Sequence, residues 1–390
     1  MIQPVKILIV HNSYQQNGGE DSVMEAEKGM LERRGHIIKL FLRQNETLRH
    51  ISRANAAAQT IWSLPGAWDF EAVLRSFNPD VVHVHNTFPL ISPSIYWVAN
   101  RLGVPVVQTL HNFRLLCPQA SFLRGGQVCE DCLGKTPWRG AAHACYRDSR
   151  LQSSVVVSMV MLHRMIGTWQ NKVTRYIALN EFCRNKFIQG GLPAARIVIK
   201  PNFVDAAAPV EGVRAGFLFV GRLSAEKGVD VLVDAANICS SSVIRVAGGG
   251  PQAALLENVP GVTRLGPLSS DSVRAEMSQA MALILPSICY EGFPRTLVEA
   301  FSSSLPVIAS RLGSLPELVS DGVTGILFDP GNANDLAQKL DWALQHPGEI
   351  AQMGRNARAR YEAEFTAERN YQQLMAIYAD AIDAVKSDTP

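Results

Sequence analysis

Short runs of aliphatic and β-branched residues recur along the first half of the chain, and longer stretches of mixed polar and apolar positions separate them. The runs predict strands at Val5–Val10, Ile37–Leu42, Val81–His85, Val104–Leu110 and Tyr176–Leu179. Between the first two strands the pattern predicts a helix over residues 20–34, ended by Gly35. Nearly continuous apolar strands joined by helix-length segments are typical of a parallel sheet with helices on both faces.

A second series of apolar runs begins after a proline- and glycine-containing stretch at Pro201–Gly216. It predicts strands at Phe217–Val220, Val243–Ala247, Ala282–Leu285, Pro306–Ala309 and Gly325–Phe328. Two further helices are predicted at Asn356–Glu364 and Ala367–Val385. We therefore predict an α/β protein with two doubly wound, Rossmann-like domains at residues 1–200 and 201–370 that face a central cleft. A C-terminal helix at 371–390 is expected to pack back on the first domain.

Charge is distributed unevenly along the 390 residues. Residues 1–200 carry an excess of 10 basic groups and residues 201–390 an excess of 8 acidic groups, which leaves a net charge of +2. The basic half can face an anionic partner such as a lipid surface, a diphosphate or a nucleic acid, and ordinary scatter of surface charge is the alternative. No recognisable basic and aromatic module accompanies the charge, so nucleic acid is not an expected partner.

The sequence also bears on the compartment. It contains no run of about 20 apolar residues that could span a bilayer. Its first ten residues lack the pattern of a secretory signal. We therefore expect a cytoplasmic protein whose cysteines are reduced.

Candidate ligand-binding residues lie where predicted strands end. Gly18-Gly19 open the first helix, where free amides favour an anion, although a plain turn is the alternative reading. Arg222 and Lys227 share the loop after the first strand of the second domain. Two cations on one loop can hold a diphosphate and neutralise a leaving group without a metal, whereas a solvated basic loop is the simpler alternative.

The loop after the third strand of the second series has the most specific pattern. Pro294 suits the first position of a helix. Glu291 then precedes the helix, the amides of Gly292 and Phe293 point out of its positive end, and Glu299 lies on the second turn. Two carboxylates placed in this way could bind hydroxyl groups on either side of a phosphate at the helix end.

Taken together, these motifs resemble the retaining glycosyltransferases of family 4, whose fold of two Rossmann-like domains is called GT-B. The matching segments are Gly18-Gly19, Gly35-His36, His111, Pro201-Asn202, Gly221-Arg222, Lys227-Gly228, Gly248 to Pro251, and Glu291 to Glu299. The resemblance implies that the first domain binds the acceptor and the second binds the nucleotide sugar. It also implies a hexose transfer from a nucleoside diphosphate sugar to a glycan or polyprenyl-linked acceptor, in cell-surface polysaccharide biosynthesis.

The resemblance carries over to individual residues. It implies that Arg222 and Lys227 bind the donor diphosphate, Glu291 the donor sugar, and Glu299 the ribose. The residues that it places in catalysis are His111, Arg222, Lys227 and Glu291. The residues that it places in donor binding are Gly18, Gly19, Arg222, Lys227, Glu291, Gly292, Phe293, Pro294, Thr296, Leu297 and Glu299. The chain contains no metal-binding Asp-x-Asp, so no catalytic metal is expected. A non-catalytic sugar-nucleotide-binding subunit and a GT-B sugar-nucleotide epimerase remain alternatives.

Four of the seven cysteines cluster after His111, in an insertion at residues 117–145. They are Cys117, Cys129, Cys132 and Cys145. A central Cys-x-x-Cys with two outer cysteines is typical of a closed structural zinc site. His143 could replace one ligand, and packed free thiols are the alternative.

A basic arm lies between Arg43 and Phe70. It contains Arg43, Arg49, His50, Arg53, Trp62 and Trp68. Basic and tryptophan side chains together predict peripheral contact with an anionic membrane, at the inner face of the plasma membrane. A solvated helix followed by a core tryptophan is the alternative. His83 and His85 are interpreted as packing or cleft residues rather than ligands.

Overall fold

The chain divides into two units in the computed structural model, which describes residues 3–13, 18–46, 51–205, 212, 214–239 and 241–387. The first unit comprises Met1–Ser121, Glu130–Asn202 and Asn370–Pro390. The second comprises Phe122–Cys129 and Phe203–Arg369. Residues 206–211 and 213 of the predicted linker lie outside the described residues.

The secondary structure alternates between strands and helices along nearly the whole chain. The strands are β1 (Lys6–Ser13), β2 (Ile37–Gln44), β3 (Val81–Val84), β4 (Val106–Thr109), β5 (Leu123–Arg124), β6 (Gln127–Val128), β7 (Arg175–Ala178), β8 (Ile197–Ile199), β9 (Phe217–Val220), β10 (Ile244–Ala247), β11 (Val262–Gly266), β12 (Ala282–Leu285), β13 (Val307–Ser310) and β14 (Gly325–Phe328). The helices are α1 (Gly19–Arg33), α2 (Arg53–Ile61), α3 (Leu64–Phe77), α4 (Ser94–Arg101), α5 (Trp138–Ala142), α6 (Arg150–Met165), α7 (Thr168–Asn171), α8 (Glu181–Gln189), α9 (Val229–Ile238), α10 (Ser270–Gln279), α11 (Arg295–Ser302), α12 (Leu315–Leu318), α13 (Ala333–Gln345), α14 (Pro347–Glu364) and α15 (Ala367–Ser387).

The first unit is built on a parallel sheet in the order β2-β1-β3-β4-β7-β8. Its central strands are covered on both faces, and Ile7, Leu8, Ile9 and Val10 are 0% exposed. Since β2 and β3 flank β1 on opposite sides, the winding direction reverses between β1 and β3. Ligands of doubly wound sheets bind at the carboxyl ends of the strands beside such a reversal.

The second unit repeats this architecture. Its parallel sheet has the order β11-β10-β9-β12-β13-β14, so the reversal lies between β9 and β12. The core includes aliphatic residues from the sheet and from the helices α9 and α13. The predicted fold class, an α/β protein with two doubly wound parallel sheets, is confirmed.

Several element boundaries differ from the prediction. The edge strands β8 and β11 were not predicted, because β8 has three residues and β11 exposes Thr263 and Arg264. A run of three apolar residues is too short to predict a strand, and β11 lacks the apolar run of a buried strand. Helix α14 begins at Pro347 rather than near Asn356, and its first turns already bury Ile350 and Met353 at helical spacing.

Helix α14 packs closely against the turn after α11, at a glycine. A Cβ added to Gly354 would lie 2.3 Å from the carbonyl oxygen of Ser304, whereas one added to Gly348 of the same helix would meet nothing within 4 Å.

We expect Gly354→Ala to destabilise the protein by about 1–3 kcal/mol, as overpacking does. Gly348→Ala is the matched control, and it should be neutral or stabilise by up to about 1 kcal/mol through chain entropy. Thermal unfolding of both variants measures the difference. Equal unfolding temperatures would contradict the close approach of α14.

Candidate active site

Two loops of the second unit meet at the reversal between β9 and β12. Lys227, after β9, donates a hydrogen bond from Nζ to Oε1 of Glu291, after β12, over 2.7 Å. The Ser287 hydroxyl donates to the same oxygen over 2.6 Å. The other carboxylate oxygen, Oε2, has no hydrogen-bond partner in the part of the chain that the structure describes. Glu291 is therefore held through one oxygen, and the second can accept a hydrogen bond from a ligand.

Both members of this pair are charged at neutral pH. Burial raises the pKa of the Glu291 carboxyl, but the charge of Lys227 and hydrogen bonds from Lys227 and Ser287 outweigh it and place that pKa below its ordinary value. Burial likewise acts to lower the pKa of Lys227, and Glu291 reverses the effect, so the pKa of the ammonium group is raised. The side chains of Lys227 and Glu291 are 31% and 13% exposed, so a ligand can reach the pair.

The approach of these two loops requires a glycine. Gly228 has φ +69°, and a Cβ there would lie 2.0 Å from the carbonyl oxygen of Pro286. The amide of Ile288 also donates to the carbonyl oxygen of Glu226 over 3.1 Å. Because no side chain fits between the loops, their backbones come close enough for Lys227 to reach Glu291.

Arg222 lies on the same loop and is exposed. A glycine-rich turn after β10 packs beside it, since the amide of Leu223 donates to Gly249 over 2.9 Å and a Cβ on Gly248 would lie 1.8 Å from the carbonyl oxygen of Gly221. No described residue forms an ion pair or a side-chain hydrogen bond with the guanidinium of Arg222. The loop thus presents two cations. Arg222 has no counter-charge among the described residues, whereas Lys227 is paired with Glu291.

The helix after Glu291 begins one residue later than predicted. Pro294 is the N-cap residue with an extended ψ of 114°, and Arg295 is the first helical residue. The Ser314 hydroxyl donates to the carbonyl oxygen of Glu291 over 2.7 Å and fixes the backbone ahead of the helix. Phe293 is buried and packs edge-on against Phe365.

Helix α11 divides the remaining predicted donor-binding residues between core and surface. Thr296 is half-buried. Leu297 is 0% exposed and its amide donates to the carbonyl oxygen of Pro294, so its side chain packs in the core and is closed to a ligand. Helical geometry explains this division, because it turns adjacent residues to different faces. Donor binding by Leu297 stays a prediction.

Glu299 lies one turn beyond Arg295, and its Oε1 is 3.0 Å from Nε of that arginine. Burial raises the pKa of the Glu299 carboxyl above its ordinary value, although Arg295 and Arg274 act against this. Its ionised form is therefore held at a cost to stability, a property that clusters at functional sites.

In the first unit, His111 follows the end of β4. Its Nε2 lies 3.0 Å from Nδ1 of His85, which follows β3, and the two rings stack at 17°. Burial lowers the pKa of both imidazoles, so both are neutral at neutral pH. The next residue, Asn112, donates to Oε1 of Glu20 over 2.5 Å. The structure thus joins two strand-end histidines.

A buried ion pair lies behind these histidines. Lys200 Nζ donates to Oε1 of Glu27 over 2.6 Å, and both side chains are 0% exposed. The same ammonium group donates to Oδ1 of Asn370 over 3.2 Å. Oε2 of Glu27 is 3.6 Å from Nε2 of His85 and 3.7 Å from Nδ1 of His83. Burial raises the pKa of Glu27, but Lys200 and the histidines outweigh it and lower that pKa.

Glu27, His83 and His85 bring ligand atoms within 4.8 Å of one another, as a metal site would. The carboxylate already has Lys200 as its counter-charge. Both ring nitrogens of His83 are also engaged, with Tyr378 at 2.7 Å and Thr109 at 2.8 Å. The donor set therefore fits a hydrogen-bonded network better than a metal centre.

Sequence reasoning did not find Glu27 or Lys200. A signal for Glu27 was present, because it interrupts the buried face of α1, whose other members include Val23, Met24, Met30 and Leu31. A carboxylate at helical spacing within an apolar face requires a buried partner. Lys200 gave no such signal, since one lysine after a short strand is ordinary.

The Gly18-Gly19 turn is closed by a carboxylate of its own helix. The amide of Gly18 donates to Oδ2 of Asp21 over 2.8 Å, and Oδ1 of Asp21 lies 2.9 Å from Nε2 of His11. One of the amides predicted to bind an anion is thus engaged within α1. An anion contact at Gly18 and Gly19 stays a prediction.

None of the seven cysteines forms a disulfide. Cys117, Cys132 and Cys145 belong to the first unit and Cys129 to the second. Cys117 and Cys132 are each 8% exposed. Arg164 anchors this insertion, donating to the carbonyl oxygens of Lys135 and Leu115.

The basic arm contains both buried and exposed residues. Trp62 stacks on His163 with the rings inclined by 2°, whereas Trp68 is 66% exposed. Arg43 pairs with Asp69. Arg49 and His50 lie outside the described residues. Among the described helices, none has the length and apolar character needed to cross a bilayer.

Comparisons with known proteins agree with this fold. Residues 17–208 match the family described as Glycosyltransferase Family 4, and residues 214–346 match Glycosyl transferases group 1. The chain therefore belongs to the GT-B glycosyltransferases of the family 4 type.

Individual relatives are distant. The MMP alpha-(1->4)-mannosyltransferase of Mycolicibacterium hassiacum is 31% identical over 46% of this chain and 43% of its own. The sulfoquinovosyl transferase SQD2 of Arabidopsis thaliana is 32% identical over 78% of this chain and 58% of its own. The chain thus spans about half the length of these curated relatives. Anabaena Alr3699/HepE, solved in complex with UDP and glucose, is 19% identical with a TM-score of 0.68, over 96% of this chain and 99% of that chain.

Glu291, before helix α11, and Glu299, on it, should have opposite effects on stability. Glu291 has a depressed pKa, so its contribution is present above the ordinary value of 4.5 and is lost as the pH falls through its folded-state pKa. Glu299 has a raised pKa, so its ionised form weakens the fold as the pH rises through that pKa.

At pH 7 we therefore expect Glu291→Gln to lower the unfolding temperature and Glu299→Gln to raise it or leave it unchanged. The deficit of Glu291→Gln should shrink as the pH falls below 4.5. Thermal unfolding at several pH values tests both. A larger loss for Glu299→Gln would contradict the assigned charge states.

Proposed function

We propose that this chain is a retaining hexosyltransferase that moves a sugar from a nucleoside diphosphate donor to a hydroxyl of a glycan or polyprenyl-linked glycan. We place it in cell-surface polysaccharide biosynthesis. The observation that carries the proposal is the exposed Arg222, which has no ion pair with any described residue, beside the Lys227–Glu291 pair at the reversal of a doubly wound sheet. Two cations and a carboxylate with one unused oxygen suit a diphosphate joined to a sugar.

Each group has a role in this reaction. Arg222 and Lys227 bind the diphosphate and stabilise the negative charge that grows on it as the bond to the sugar breaks. Lys227 can turn from Glu291 to a phosphate because its side chain is partly exposed. Oε2 of Glu291 accepts a hydrogen bond from a sugar hydroxyl, and Glu299 binds the ribose. UDP is the first nucleotide to test, because HepE was solved with UDP and glucose.

Retention requires the acceptor to attack from the face that the diphosphate leaves. Arg222 and Lys227 support this course because they can hold the departing group in place and need no catalytic metal. Transfer should therefore survive brief exposure to a chelator. The product anomer, read by NMR, distinguishes retention from inversion.

We assign the acceptor to the first unit, beside His111. A pocket there is lined by residues that include His85, Gln108, His111 and Arg114. Oε1 of Gln108 is buried without a partner among the described residues, so it can accept from a bound hydroxyl. The exposed Trp68 and Arg53 support peripheral contact with an anionic membrane, where a lipid-linked acceptor would reside.

We also propose that Cys117, Cys129, Cys132 and Cys145 bind one structural zinc. Their spacing around a central Cys-x-x-Cys supports this assignment. Such a zinc would stiffen the chain after His111 and take no part in the chemistry.

The diphosphate assignment predicts a specific kinetic loss. Arg222→Met should lower kcat/KM for the donor at least about tenfold, because removing a group that stabilises transition-state charge commonly costs more than about 2 kcal/mol. Arg264→Met is the matched control, since Arg264 lies on the edge strand β11 and pairs with Glu257. Release of free nucleotide in the presence of donor and acceptor measures both.

Equal rates for these two variants would contradict the diphosphate assignment. Donor binding by the wild-type chain without any nucleotide release would instead favour a non-catalytic sugar-nucleotide-binding subunit.

Zinc binding has its own test. Protein purified without a histidine tag should contain about one zinc per chain, the stoichiometry of a single four-ligand site. Cys129→Ser should lose the metal and unfold at a lower temperature, because metal affinity in such a site is folding energy. Cys239→Ser is the control, as this buried cysteine lies outside the cluster. If the wild type is purified without metal and added zinc leaves its unfolding temperature unchanged, the cysteines are packed thiols.

A further inference from the structure

The direction of the hydrogen bond between the two strand-end histidines, His85 and His111, depends on which ring nitrogen of each carries the proton. Neutral imidazole carries one N–H and one acceptor nitrogen. In the contact between Nδ1 of His85 and Nε2 of His111, one atom must therefore donate and the other accept. The surrounding network distinguishes the two arrangements.

The buried carboxylate favours one arrangement. Oε2 of Glu27 and Nε2 of His85 are both buried, both lack a hydrogen-bond partner among the described residues, and face each other at 3.6 Å. If His85 carried its proton on Nδ1, two lone pairs would oppose each other in a site without solvent. A proton on Nε2 of His85 instead points a donor at the carboxylate, which removes this electrostatic cost.

That choice fixes the proton of His111. With His85 protonated on Nε2, its Nδ1 can only accept, so Nε2 of His111 must donate across the 3.0 Å contact. The lone pair of His111 is then on Nδ1, which has no hydrogen-bond partner in the described ranges. Nδ1 is thus left as the basic atom of His111.

Lys200 keeps this arrangement in place. Its ammonium group pairs with Oε1 of Glu27 at 2.6 Å and also donates to Oδ1 of Asn370 at 3.2 Å. Glu27 therefore stays ionised, and the pair has no net charge. Burial lowers the pKa of His85 and His111, which agrees with neutral rings.

We propose that Glu27 and His85 are positioning residues that set the tautomer of His111, so that its Nδ1 presents a lone pair to the substrate. The inference rests on the proposed function for its consequence in catalysis. The tautomer itself is a property of the free protein. A buried acid that orients a histidine in this way is a known device in hydrolases, where its loss leaves the wrong tautomer.

The test is NMR of the protein with ¹⁵N-labelled histidine, with His111→Gln to assign the His111 signals. In the wild type we expect His111 to be protonated on Nε2 and unprotonated on Nδ1. A wild-type His111 protonated on Nδ1 would overturn the proposal. This readout does not require activity, so it separates the tautomer from the proposed transferase function.

Variants at His85 separate positioning from packing. His85→Asn keeps an acceptor oxygen near the place of Nδ1, so His111 should remain protonated on Nε2, and kcat should fall less than in His85→Leu. His85→Leu removes the acceptor, so both tautomers should be populated and kcat should fall at least about tenfold, with the donor KM unchanged. The same loss of kcat in both variants, with His111 still protonated on Nε2 in both, would overturn the proposal.

The role of Glu27 has to be tested in a variant that does not leave one charge of the buried pair without its partner. Glu27→Gln combined with Lys200→Met removes both charges together, which proteins often tolerate, whereas either change alone leaves one buried charge unpaired. We expect the folded double variant to lose the single tautomer of His111. An unchanged tautomer would show that Glu27 does not set it. If the double variant does not fold, the two His85 variants still decide the proposal.

Discussion

An ionised carboxylate inside a protein needs a counter-charge and hydrogen bonds. In each unit a glutamate–lysine pair meets this need. Lys200 and Glu27 are in contact at 2.6 Å in the first unit, and Lys227 and Glu291 at 2.7 Å in the second. In each case the lysine follows a strand of the parallel sheet. The positions of the other polar groups at these two sites depend on where these pairs lie.

The two pairs differ in exposure, and their possible roles differ accordingly. Glu27 and Lys200 are fully buried, so a ligand cannot compete for either charge, and the pair can act only on its neighbours, His83 and His85. Lys227 is 31% exposed, so a phosphate can take the place of Glu291. The Glu27–Lys200 pair is therefore suited to orient a neighbouring side chain. In the Lys227–Glu291 pair, the lysine is suited to exchange the glutamate for a ligand.

Much of the site in the second unit could be anticipated, because its predicted ligand-binding residues lie in two short segments of the sequence. Arg222 and Lys227 are on one loop, and Glu291 precedes the helix that carries Glu299. The sequence pattern could not show which atoms of these residues remain available to a ligand. Oε1 of Glu291 is occupied by Lys227 and Ser287, and the side chain of Leu297 is in the core. These outcomes depend on rotamers and helix faces, which the order of residues leaves undetermined.

The sequence by itself determined the two doubly wound sheets, since buried parallel strands need apolar runs and their connections need helix-length segments. It also determined the family type, and it predicted ligand-binding residues in the loops after β9 and β12. Only the tertiary structure brought Glu27 of α1, Lys200 after β8 and His85 after β3 into contact. These residues are far apart along the chain, and no local pattern encodes which buried charges meet. The reason is physical: partners of a buried charge are chosen by packing in three dimensions, whereas strands and helices follow from the local periodicity of the chain.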